Sequence, residues 1–182
     1  MKFKQQAVYA LLTAILAGVV TYVTQAMWGW PNAACMEAKN PLTYISFATW
    51  ACYFVAGCNI KGAANWLWSM FGGAICAALM FILTFAFMNK DGSNYLIAVS
   101  IAVIIIVWFM MFPEKLKMNG AAVFIGTALF FALHASGAGI DGSIGKYCNV
   151  ILTEMIYSVI GLIAGFLTIW FSQITAPLGK DK

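Results

Sequence analysis

Six long apolar runs, separated by short polar breaks, constrain this chain more than any motif in it. They are Ala7–Trp28, Pro41–Cys58, Ala63–Met88, Asn94–Phe112, Gly120–Ala138 and Cys148–Ile174. Each approaches or exceeds the ~20 residues an α-helix needs to cross ~30 Å of hydrocarbon. The breaks, among them "NIKG", "NKDGSN", "FPEKLKMN" and "GIDGSIGK", carry loop punctuation. With 63% hydrophobic and 9% charged residues and a mean hydropathy of +0.89, a water-soluble fold has too little polar surface to cover the rest. The runs are continuous rather than alternating with period two, which disfavours a β-barrel. The expected fold is an all-α integral membrane protein of about six transmembrane helices, forming one polytopic domain over 1–182. The second run is the shortest and reads as a partial or tilted span.

There is no arginine, and the placement of the lysines predicts orientation. With both termini cytoplasmic, Lys2, Lys4, Lys61, Lys115, Lys117, Lys180 and Lys182 lie inside, and Lys39, Lys90 and Lys146 outside. That split follows the positive-inside tendency. Trp28, Trp30 and Trp108, near run ends, suit interfacial anchoring. The first run is long for a secretory signal and is expected to be retained as a helix. The net charge of +4 is a topological signal, not a nucleic-acid footprint.

The two halves of the chain, 7–88 and 94–174, invite comparison as inverted three-helix repeats. Ala51–Ala56 ("ACYFVA") in the second run is similar to Ala128–Leu133 ("ALFFAL") in the fifth. In the third run Asn65, Trp68, Ser69, Gly72 and Cys76 have the spacing of Glu154, Tyr157, Ser158, Gly161 and Gly165 in the sixth. The i, i+4, i+7, i+11 members share a helix face. Such repeats recur in transporters and channels, with the pathway at the repeat interface. The competing reading of the glycines is close helix packing, and Gly161–Gly165 is a glycine-x-x-x-glycine motif.

Glu154 lies six positions into the last run, about 9 Å deep. A carboxylate there costs several kcal/mol unless protonated, paired or wetted, so it is a functional candidate. The candidate partner is His134, expected in the same outer part of the bilayer, where the pair could gate or relay a proton. The alternative is a histidine at the interface and a glutamate snorkelling to the headgroups. Asn65, near the inner mouth, suits hydrogen bonding to a small polar solute. No CxxC accompanies the five cysteines and the histidine is alone, so no metal site is expected. Cys35 and Cys148 could pair in an oxidising outer compartment. No nucleophile–base pair, phosphate-binding loop or cofactor motif is found, so the expectation is a protein that is not an enzyme and carries no cofactor.

Two stretches carry a family resemblance. "ACYFVAGCNIKGAANW" (Ala51–Trp66) and "NGAAVFIGTALFFA" (Asn119–Ala132) are similar to the aromatic–small–lysine-glycine turn and the Phe-Ile-Gly segment of the bacterial inner-membrane family known as domain of unknown function 1097. Where that family often has proline before Phe-Ile-Gly, this chain has Asn119-Gly120. The resemblance implies a multi-span inner-membrane protein and supplies no substrate.

The functional expectation is a homo-oligomeric channel, facilitator or small transporter for a small neutral or weakly charged solute, with the lipid bilayer as its surroundings. Sparse intramembrane charge disfavours a strongly ionic substrate. In this reading Asn65, Ser69 and Ser158 line the route, Gly72 and Gly161 give it width, and His134 with Glu154 forms an outer gate. The alternative is a non-transporting scaffold or accessory subunit that uses its glycine faces only for packing.

Overall fold

The six apolar runs correspond to six α-helices in the computed structural model, which describes residues 3–28, 30, 41–111, 116–138 and 143–179. The helices are α1 (Phe3–Ala26), α2 (Thr43–Val55), α3 (Ile60–Phe87), α4 (Tyr95–Met110), α5 (Gly120–Ala135) and α6 (Ile144–Thr175). A 3-10 turn, Ala176–Gly179, follows α6. No strand occurs among the described residues. Lys2, Lys39, Lys115, Lys180, Lys182, Cys35 with its suggested bond to Cys148, and the "GIDG" exit of the fifth run all lie outside them.

By length and composition α1, α3 and α6 can cross a membrane. The 16 residues each of α4 and α5 reach about 24 Å. The 13 residues of α2 reach about 20 Å, the shortest of the six helices. Its shortening has a local cause. The chain leaves α2 through Gly57 (φ +89°) and Cys58 (φ +56°), left-handed positions that a continuing helix cannot contain. Asn59 then starts α3, its Oδ1 accepting the Gly62 N–H at 2.7 Å. A Cβ on Gly62 would strike the Ala56 carbonyl, so "GCNIKG" encodes a tight turn.

The Asn119-Gly120 step is a helix start rather than a kink. Asn119 Oδ1 accepts the Ala122 N–H at 3.2 Å, capping α5. At its other end, Gly137 (φ +104°) lets the Ala138 N–H reach the Leu133 carbonyl and its own N–H reach that of His134. This is the paired-bond ending that glycine favours.

The chain divides into two compact units, neither continuous in sequence. The first comprises Met1–Trp28, Pro41–Ala63 and Ile156–Lys182. Its apolar centre is Trp50 with Leu16, Val20 and Ala164. Trp50 Nε1 donates to Thr168 Oγ1 at 2.9 Å, and Ser46 Oγ donates to the Tyr157 carbonyl at 2.7 Å. A Cβ on Gly161 would strike the Ser46 carbonyl and Thr49 Oγ1, and one on Gly165 would crowd the Tyr53 ring.

The second unit comprises Gly29–Asn40 and Ala64–Met155. Met80, Ile106, Met110 and Val123 form an apolar cluster from α3, α4 and α5. Here α3 and α5 meet through glycines on both sides: a Cβ on Gly73 would strike the Val123 carbonyl, and one on Gly126 the Met70 carbonyl. Thr127 Oγ1 lies 3.0 Å from the carbonyls of Gly73 and Val123. The Asn119 N–H donates to Ser69 Oγ at 2.8 Å, fastening the start of α5 to α3.

Candidate functional site

A buried polar group in an apolar helix protein is expected to have a partner, because water cannot supply one. In the first unit this holds almost throughout. Thr24, Ser46, Thr49, Thr168 and Thr175 all direct their hydroxyls to backbone carbonyls, and the Trp50 indole has Thr168. Ser158 is the exception, its Oγ buried with no hydrogen-bond partner.

The second unit differs. Trp66 Nε1 on α3, His134 Nδ1 on α5 and both carboxyl oxygens of Glu154 on α6 are buried without a hydrogen-bond partner among the described residues. Glu154 is 0% exposed, so it does not snorkel to the surface. It is also the only aspartate, glutamate, lysine or arginine in the six apolar runs.

The expected His134–Glu154 bond is not formed. Neither Glu154 oxygen accepts a hydrogen bond, and the histidine ring instead lies against Phe81, with centroids 3.9 Å apart. Phe81 also meets Phe130, Phe131 and Tyr147, which makes an aromatic cluster at the end of α5. His134 belongs to the last turn of its helix, where it meets this aromatic cluster and the Ala138 backbone, so these contacts replace the charged one.

The other predicted residues separate into distinct settings. Asn65 is exposed, and its Nδ2 donates to the Lys117 carbonyl at 2.9 Å, in a loop where Lys117 has φ +54°. Ser69 is buried and committed: its Oγ donates to the Asn65 carbonyl at 2.7 Å and accepts the Asn119 N–H. Gly72 lines an apolar cavity of about 210 Å³ with Cys76, Met110, Met118 and Val123. Gly161 is a packing point against α2. Thus Ser69 and Gly161 hold helices together, while Glu154 and Ser158 have polar atoms to spare.

The suggested pairing of third and sixth runs places Asn65 with Glu154, yet the first is exposed and the second buried. Sliding that pairing by one residue brings like with like. Gly73 then corresponds to Gly161, and each abuts a carbonyl of a shorter helix, Val123 in one unit and Ser46 in the other. Those two carbonyl residues are equivalent in the pairing of second and fifth runs. Seven residues before each glycine stand Trp66 and Glu154, both buried and both unpartnered. Trp66 escapes a sequence reading because tryptophan near a helix end looks like an interfacial anchor. The seven-residue step to Gly73 is the signal that marks it.

Among the described residues no three of histidine, cysteine, aspartate and glutamate gather as metal ligands. Cys52, Cys58, Cys76 and Cys148 form no disulfide among those residues.

No curated protein and no solved structure matches this chain. A family profile does, over residues 10–177, far beyond the two stretches that carry the resemblance in sequence. Its description is "Protein of unknown function (DUF1097)", and with nearly the whole chain matched, this protein belongs to the DUF1097 family.

Proposed function

We propose that the protein is a multi-pass protein of the bacterial inner membrane, both termini cytoplasmic, that lets a small neutral or weakly charged solute cross as a channel, facilitator or small transporter. The observation that carries this reading is the set of unpartnered polar groups in the second unit: Trp66, His134 and Glu154, one on each of three helices. A donor, a ring nitrogen and a carboxyl without protein partners are the groups a polar solute or its water can use. In the first unit the buried hydroxyls other than that of Ser158 are bonded internally among the described residues. No catalytic role is part of the reading.

The corresponding glycine contacts of Gly73 and Gly161 support treating 7–88 and 94–174 as inverted repeats. Self-association as a homo-oligomer is included, since α1 leaves Leu11, Ile15, Val19 and Tyr22 uncovered for lipid or another copy.

The second reading, a non-transporting scaffold or accessory subunit, draws on the tight glycine contacts, which serve packing equally well. Stopped-flow light scattering on proteoliposomes separates the two. Faster glycerol or urea entry than in empty liposomes, reduced in Glu154→Gln, is the expected result. Rates equal to empty liposomes for such solutes would leave the scaffold.

A further inference from the structure

We propose that Glu154 is a sealed proton-binding site, which holds its proton in the arrangement described here and exchanges it only when its helix face opens to water. As the coupling proton of a transport cycle it rests on the function proposed above; as a proton site it stands on its own geometry.

The geometry leaves few alternatives for the carboxyl. Glu154 lies ten residues into α6, well past the first turn, so the free N–H groups of the helix start are out of reach. The side chain is completely buried and, among the described residues, neither oxygen receives a hydrogen bond. The other titratable or charged groups described in this unit are Cys76 on α3, Tyr95 at the start of α4, His134 on α5, and Lys146, Tyr147 and Cys148 on α6. Lys90, Asp91 and Lys117 lie in loops. None of these gives Glu154 a hydrogen bond or ion pair. A carboxylate so placed would be a buried charge with nothing to offset it, whereas the neutral acid needs no counter-ion. Calcium-like cations would require six or more oxygen ligands. A proton needs one oxygen.

Packing does not explain the residue either. An apolar side chain of similar volume would fill the position without the desolvation cost, so a carboxyl there lowers stability for no structural return.

Infrared spectroscopy of the full-length protein in lipid reads the protonation state directly. At neutral pH, where exposed carboxyls are ionised, a neutral-carboxyl C=O band is expected in the wild type and missing in Glu154→Gln. Dicyclohexylcarbodiimide provides an independent readout on unmutated protein. The acid's oxygen adds to the central carbon of the reagent and its proton goes to a reagent nitrogen. The O-acylisourea then rearranges to an N-acylurea, with no atom lost. Mass spectrometry should place this label on the peptide containing Glu154, with less labelling as pH rises. A wild type without the band at neutral pH would overturn the proposal. So would labelling of Glu154 by a water-soluble carbodiimide with glycine ethyl ester at the rate of exposed carboxyls. The band with no solute flux would remove the transport reading alone; flux with no band would remove the proton site alone.

Discussion

Gly73 stands so close to the carbonyl of Val123 that a side chain at that position would occupy the same space as the oxygen. Gly126 repeats the arrangement from the other helix, against Met70. Because the obstacles are backbone atoms, neither contact can relax by a rotamer change. Gly73→Ala is therefore expected to destabilise the second unit by about 1–3 kcal/mol. Gly18→Ala, with nothing within 4 Å of the new methyl, should cost nothing. Titration with a denaturing detergent in mixed micelles compares the two, and equal midpoints would refute the packing account.

Two buried tryptophans should respond oppositely to loss of their N–H. Trp50 Nε1 has Thr168 Oγ1 at 2.9 Å, and Trp66 Nε1 has no partner. Hydrogen bonds between membrane helices average about 0.6 kcal/mol. Trp50→Phe should lose that much beyond the cost of the smaller ring, and Trp66→Phe should not. A double-mutant cycle with Thr168→Val isolates the bond, and zero coupling for Trp50 would contradict it.

Ser69 should matter through the backbone amide it protects. Ser69→Ala leaves the Asn119 N–H at the start of α5 without its acceptor, a loss of about 0.5–1.5 kcal/mol for a part-buried bond. Hydrogen exchange should accelerate at Asn119 and the first turn of α5. Unchanged protection there would show that another group holds this end.

Asp91 offers a pH test outside the helices. The Ser93 backbone N–H and hydroxyl both donate to its Oδ1, at 3.1 and 2.9 Å, holding its carboxyl below the usual aspartate range. The folded value is the lower one, so the turn's contribution is present above the unfolded pKa and fades as pH falls through the folded one. In carboxyl NMR titrations Asp91 should ionise at lower pH than a free aspartate, and Ser93→Ala should move it upward. No movement would assign the shift elsewhere.

Much of this was legible in the residues, and the boundary of legibility is physical. Hydropathy locates helices because burial in apolar surroundings depends on composition, and the third and sixth runs became α3 and α6 within a few residues. The shortening of α2 depends on left-handed backbone at Gly57 and Cys58, and a cysteine there gives no such warning. Glu154 is recognisable as a lone acid in an apolar run. That His134 stacks on Phe81 instead of meeting it is a matter of tertiary placement. Likewise, spacing alone marks Gly72 and Gly73 alike as sites of approach, and only the position of the Val123 carbonyl distinguishes them.

The first unit is assembled from the two ends of the chain, and this sets an order for its making. Helices α1 and α2 emerge first, yet Ser46 and Trp50 meet Tyr157 and Thr168 from residues synthesised more than one hundred positions later. Until Tyr157 and Thr168 arrive, the short α2 carries a hydroxyl and an indole with no final partners. The earlier-made helices of this unit are thus the last to be secured. A chain cut short before Tyr157 forfeits the contacts that hold α2, and leaves Ser46 and Trp50 without their acceptors.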